Sequence, residues 1–376
     1  MMTQLPLRTQ LAGKHPYGAP QLQVKACLNV NENPFSPPDD VIEAIGAAAQ
    51  QAAKTLNRYP ERDFWQLRRA LADYLYEESH VQLAPEQIWA ANGSNEIMIQ
   101  LFQAYAGPQR VALTFTPSYS MYPEYAQTTS TQFVTLPRRQ DYTIDIDQAI
   151  VAMKEKRPAL ILVASPNNPT GTSIAIEEIN RLALAARSTG PAKGTSSIVV
   201  IDEAYGEFRR DGVSSALELL SEHRHLVVSR TMSKAFGAAG LRLGYMAGDQ
   251  QLIKDITIVR LPYHLSAITQ ATALAALQHR GGLRRQVQQL RLSRDELVSW
   301  LKTRGLDVLP TDANFICFGS FADRHAVFEE MLARAVLIRE VGPQGYLRVS
   351  VGTPEENDLF CWALAGVMTT SAGKRT

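Results

Sequence analysis

Short apolar runs alternate with longer stretches of helical period through most of the chain. The runs at 111–115, 159–164, 198–201 and 226–229 have strand length, are rich in Val, Ile and Leu, and lack an alternating polar face. Each therefore predicts a strand buried on both sides. Helix-period segments such as 95–106 and 174–187 lie between them, an order that assembles into a mostly parallel central sheet sandwiched by helices, the α/β class. After Gly248 the texture changes. A long helical stretch at 283–303 and helices at 326–334 and 354–367 are interleaved with short strands at 315–318, 336–339 and 346–351, which predicts a smaller α+β domain. At the other end, prolines at 16, 20, 34, 37 and 38 exclude regular helix and predict an extended N-terminal arm. A helix follows over 38–54, with Asp39 and Asp40 in its first turn, where the macrodipole favours acids. The expected division is an arm over 1–40 joining the small domain, a large domain over 41–258 and a small C-terminal domain over 259–376. The polar tail after Thr369 reads as disordered.

Charge narrows the partners. With 38 Lys+Arg against 37 Asp+Glu, the net charge is +1, so the chain has no global reason to seek nucleic acid or an anionic membrane. Any anion it binds must be held by local cations. Cys27, Cys317 and Cys361 are too few and too scattered for a disulfide framework or a cysteine metal site, which suits a reducing, cytoplasmic setting. Neither a signal peptide nor a run of about 20 apolar residues is expected.

In an open parallel sheet, ligands bind beyond the carboxyl ends of the strands, and there the sequence is polar. The run ending at Ala164 leads into Ser165-Pro166-Asn167-Asn168-Pro169-Thr170-Gly171, and the run ending at Ile201 delivers Asp202-Glu203-Ala204-Tyr205. Such an Asp suits a magnesium ligand of an NTPase, a partner for a cationic ring atom, or a helix cap. The first requires an upstream G-x-x-x-x-G-K-[ST] loop, which the chain lacks. The next run ends in Thr231-Met232-Ser233-Lys234-Ala235-Phe236, with Arg242 eight residues beyond Lys234. A lysine among apolar neighbours has a depressed pKa, and a neutral amine condenses with aldehydes. Thr231, Ser233 and Arg242 are suited to a phosphate beside it. Upstream, Gly93-Ser94-Asn95 opens a helix, whose first N–H groups favour an anion, and Tyr119 would place a ring at the same sheet edge. His223-Arg224-His225 lacks an acid or cysteine at ligand spacing and reads as a solvated turn, so no metal is expected.

One ligand accounts for these sites together: pyridoxal 5′-phosphate, with an aldehyde, a pyridine nitrogen, a phenolic oxygen and a phosphate. With these motifs, with Asn31-Glu32-Asn33-Pro34 in the arm and with 347–357 near the end, the chain resembles the fold-type I, class II aminotransferases over essentially its whole length. Within them it resembles the branch acting on histidinol phosphate. That resemblance implies Lys234 as the catalytic residue that binds the cofactor's aldehyde and shuttles a proton. It implies Asp202 at the pyridine nitrogen, Tyr205 and Asn168 at the phenolic oxygen, and Tyr119 against the ring. Gly93, Ser94, Asn95, Thr231, Ser233 and Arg242 would hold the phosphate, with Tyr59 donated from the partner of a homodimer. Tyr17, Asn33, Tyr59, Arg339 and Arg348 would meet the substrates, histidinol phosphate and glutamate or 2-oxoglutarate. Aromatic amino acid aminotransferases and threonine-phosphate decarboxylases share this scaffold and remain alternatives, as does a non-catalytic regulatory module. The segment 260–266 has no assigned role, and His264 in it reads as structural.

Overall fold

The predicted buried runs become the centre of a seven-stranded sheet. The computed structural model describes residues 5–16, 18–370 and 372–374. Its strands are Ala26–Cys27 (β1), Ile88–Ala91 (β2), Val111–Thr116 (β3), Gln132–Pro137 (β4), Leu160–Ala164 (β5), Ile198–Asp202 (β6), Leu226–Thr231 (β7), Gly244–Gly248 (β8), Asp307–Val308 (β9), Phe315–Gly319 (β10), Val336–Leu337 (β11) and Leu347–Ser350 (β12). The large sheet has the order β2-β8-β7-β6-β5-β3-β4. All its pairings are parallel except those of β8, which runs against both β7 and β2. Every residue of β2, β5, β7 and β8 is buried. That is why these strands carry no polar face: helices cover both sides of the sheet.

Register decides where the chemistry falls. Ala164 stands opposite Asp202, Asp202 opposite Ser229, and Thr231 opposite Gly244. The polar residues that follow β5, β6 and β7 therefore emerge at one edge. The helix Ser94–Tyr105 starts at the same edge, three residues after β2 ends.

A second buried cluster forms around the three-stranded antiparallel sheet β12-β10-β9 and includes Ile316, Phe318, Leu347 and Phe360. The arm joins it: β1 pairs parallel with β11, and Ala26 and Leu28 are part of that cluster. Leu28 links two strands, since its N–H donates to Leu337 O and its carbonyl accepts from Ser350 N. The helix Ala267–Gln278 and the first half of Arg280–Thr303 pack instead on the large core, through Ala273, Leu277, Leu283 and Leu290. One expectation is corrected. His223 and His225 are buried rather than solvated, because the helix Ile176–Ala186 and its flanks cover them; their ring nitrogens lie 2.7 Å from Asn180 Oδ1 and Ala183 O. Of the tail after Thr369 the structure describes 370 and 372–374, where Lys374 O accepts a hydrogen bond from Ala322 N.

Candidate active site

The strand ends, the start of the helix Ser94–Tyr105 and the arm enclose one cavity of about 750 Å³. Lys234 stands in its wall. Burial, with Arg348 and Arg242 near by, lowers its ammonium pKa from 10.5 to about 8, against the opposing pull of Glu32. Its Nζ donates to Val30 O at 2.9 Å. A sizeable fraction of this amine is therefore neutral at physiological pH.

Ser94, Ser233 and Arg242 line the cavity together, with Gly93 against the Arg242 guanidinium. Arg242 Nη1 donates to Ser233 Oγ at 3.3 Å, and Thr231 Oγ1 both donates to Ser233 Oγ at 3.0 Å and accepts from Ser233 N at 3.1 Å. Gly93 occupies the position before the helix at φ 82°, and a side chain there would meet the Arg242 guanidinium. Gly244 opposite is as constrained, since an added Cβ would press into the Gly93–Ser94 peptide. The two glycines let the loop, the guanidinium and β8 converge on the helix start, where unpaired N–H groups and the helix dipole favour a phosphate.

Asp202 ends β6 and also lines the cavity. Burial is the main cause of a carboxyl pKa raised from 3.8 to about 6, partly offset by hydrogen bonds from Tyr122 and the Ala204 N–H. Tyr122 OH donates to Asp202 Oδ2 at 2.8 Å. Tyr122 is fully buried at the start of the helix Tyr122–Thr128, and the sequence reading missed it. Its only sequence signal is a position one helical turn after Tyr119. Asn95 contributes a side chain as well as a helix start, because its Oδ1 accepts from Tyr125 OH at 2.8 Å and from Tyr119 OH at 3.4 Å.

Arg348 also lines the cavity. Its Nη1 donates to Asn168 Oδ1 and its Nη2 to Asn29 O at 2.7 Å. Arg339 is its cross-strand neighbour through a pair of backbone hydrogen bonds, and among the described residues its guanidinium has no partner. The cavity wall thus contains Ser94, Asn95, Tyr119, Asn168, Asp202, Tyr205, Thr231, Ser233, Lys234, Arg242, Arg339 and Arg348.

Two expected residues lie elsewhere. Asn33 is not in the wall; its Nδ2 lies 3.4 Å from Ala235 O and 3.3 Å from Gln286 Oε1. Asn31 takes a place there instead, donating to Tyr205 OH at 3.0 Å. Tyr59 is 80% exposed and stacks on Tyr263, ring centroids 4.5 Å apart. Tyr17 falls outside the described residues. His264 lies off the cavity, stacked on Trp89 with Nε2 2.9 Å from Ala90 O, where it buttresses the strand that leads to Gly93. Arg324 and Glu340, both in the wall, were also missed.

Behind Asp202 lies a buried charge cluster. Arg230 contacts Glu203, Glu207 and Glu78, and Arg209 contacts Glu203 and Glu78. It fixes the segment 203–207 that carries Tyr205 into the cavity.

The donor set suits pyridoxal 5′-phosphate: an amine with a lowered pKa, a buried carboxylate and an anion cradle. The family "Aminotransferase class I and II" matches residues 24–364. The chain is 51% identical to a histidinol-phosphate aminotransferase of Bifidobacterium adolescentis, covering 97% of this chain and 95% of that protein. It is 51% identical to one from Thermobifida fusca, covering 96% and 95%. Among solved structures it resembles the histidinol-phosphate aminotransferase of Sinorhizobium meliloti in complex with pyridoxal-5′-phosphate, with a TM-score of 0.81 and 25% identity over 92% of this chain and 91% of that one.

Proposed function

This chain belongs to the class I and II aminotransferases, and we propose that it interconverts L-histidinol phosphate and imidazole acetol phosphate, with glutamate and 2-oxoglutarate as the second pair. The observation that carries this reading is the single cavity in which the Lys234 amine, the Asp202 carboxylate, the Ser233–Arg242 cradle and Arg339, without a side-chain partner among the described residues, converge. Pyridoxal 5′-phosphate, when bound, supplies an aldehyde for amines and a ring that withdraws electrons from the substrate Cα.

The chain's own groups supply the rest. Ser94, Asn95, Thr231, Ser233 and Arg242 would hold the phosphate, and Tyr119, Asn168 and Tyr205 would orient the ring. Asp202 would place a negative charge against the ring nitrogen, where a cation relieves the cost of its own burial. Lys234 Nζ, neutral in part, would take the proton from the substrate Cα and, as general acid, deliver it to the cofactor's aldehyde carbon. Arg348 would bind a carboxylate, and Arg339 the distal phosphate or carboxylate, through charge-assisted paired hydrogen bonds.

In the same reading the chain acts as a homodimer. Tyr59 stacks on Tyr263, and Leu261 and Ile258, which precede Tyr263 in the same segment of chain, are exposed apolar groups as well. Such a patch is suited to a second copy, with Tyr59 reaching the neighbouring cavity. Absorption spectroscopy tests the cofactor assignment. Purified wild-type protein should show the visible band of a lysine-bound cofactor, and Lys234→Ala should lack both that band and turnover. A wild-type protein that takes up no pyridoxal phosphate would refute it.

A further inference from the structure

Two adjacent residues of opposite charge, Arg339 and Glu340, line the substrate end of the cavity, yet they do not pair. Glu340 is engaged elsewhere. Its Oε1 accepts from Arg324 Nε at 3.3 Å, and its Oε2 lies 2.9 Å from His325 Nδ1. Arg324 and His325 are the first two residues of the helix Arg324–Ala333. Arg324 also grips the chain that follows Glu340, donating from Nη1 to Gly342 O at 3.3 Å and Pro343 O at 3.0 Å. One guanidinium thus fixes both the carboxylate and the backbone of the 340–343 segment, while Arg339 is left without a side-chain partner among the described residues.

The other carboxylates of the wall are otherwise disposed: Asp202 is held by Tyr122, and Glu32 acts on Lys234. Glu340 is therefore the acid placed to compete with a ligand anion for Arg339. We propose that Arg324 is a positioning residue that latches Glu340 away from Arg339, keeping that cation open for the distal anion of the substrate. This rests on the aminotransferase reading above, in which Arg339 meets a phosphate or a distal carboxylate. Without the latch, Glu340 pairs with Arg339, and an incoming anion must displace it before binding.

The test is steady-state kinetics of the holoenzyme with histidinol phosphate and, separately, with 2-oxoglutarate. Arg324→Gln should raise KM for both by about tenfold, the factor that one charge-assisted hydrogen bond commands, with kcat and the visible cofactor band unchanged. The double variant Arg324→Gln/Glu340→Gln should restore both KM values, because no carboxylate remains to occupy Arg339. An unchanged KM in Arg324→Gln overturns the latch, as does a raised KM that Glu340→Gln fails to restore, since Arg324 would then act on the ligand or on the fold. If Arg324→Gln yields no folded holoenzyme, Arg324→Lys serves: it keeps a cation beside Glu340 and should keep both KM values, and a tenfold rise overturns the proposal. A wild-type enzyme that prefers phenylalanine to histidinol phosphate refutes the substrate reading alone, and the 2-oxoglutarate measurement still decides the latch.

Discussion

Replacing Asp202 by Asn should stabilise the cofactor-free protein while disabling the enzyme. The carboxyl lies at the end of β6, and burial lifts its pKa from 3.8 to about 6 despite the Tyr122 and Ala204 hydrogen bonds. That difference of about two pH units corresponds to about 3 kcal/mol that the folded chain spends to keep Asp202 ionised. The sign follows from linkage. The folded value lies above the unfolded one, so the folded state binds the extra proton between about pH 4 and about pH 6. Stability falls as pH rises through that window, and the full cost stands above it. Asn is nearly isosteric and uncharged, so Asp202→Asn removes this cost. Urea unfolding of cofactor-free wild type and Asp202→Asn, at one protein concentration, should show the variant's advantage growing by about 1.5 kcal/mol between about pH 5 and about pH 8. The same variant should load pyridoxal phosphate weakly and lose most of its turnover, because the ring nitrogen loses its counter-ion. A difference in stability that does not change with pH would refute the reasoning, since Asp202 would then titrate alike in the folded and unfolded chains.

Tyr122→Phe removes a donor to the Asp202 carboxylate; a hydrogen bond to a charged group is worth roughly 1.5–3 kcal/mol, so the acid limb of kcat/KM against pH should move up by about one unit or more. An unmoved limb would exclude Tyr122 from setting that protonation state. Gly244→Ala puts a methyl into the Gly93–Ser94 peptide, so cofactor affinity should fall by at least about tenfold, read by titrating the visible band. Arg230→Met leaves Glu203, which is 2% exposed, with Arg209 as its remaining cation; urea unfolding should show a loss of about 3–5 kcal/mol. A loss below about 1 kcal/mol would mean that the cluster contributes little.

The large sheet was legible because its strands bury both faces. Runs such as 198–201 are continuous Val and Ile, and the strand-end rule then pointed to Asp202, Lys234 and Asn168 without any view of the fold. Contacts distant in sequence were not legible. Tyr122 meets Asp202 across 80 residues and Asn31 meets Tyr205 across 174, and neither partner carries a local mark of the other. The arm shows the same limit at finer scale: its Asn-rich segment was recognised, but hydrogen bonds of Asn31 with the distant Ser350 and Asn314 hold Asn31, rather than Asn33, at the cavity. The opposite error occurred at His223 and His225, which look solvated beside Arg224 yet are covered by a helix from earlier in the chain. Arg324 was passed over because an arginine opening a helix is ordinarily a surface group, and only the returning 340–343 segment gives it a task.

The central claim is that a near-neutral chain gathers its cations locally to serve a phosphorylated amine in a transamination that depends on Lys234. The most direct test is the comparison of kcat/KM for L-histidinol phosphate and L-phenylalanine with 2-oxoglutarate on the purified holoenzyme. The account predicts a preference for histidinol phosphate of at least about a hundredfold, the discrimination that paired charge-assisted hydrogen bonds provide. Equal values, or a preference for phenylalanine, would contradict it.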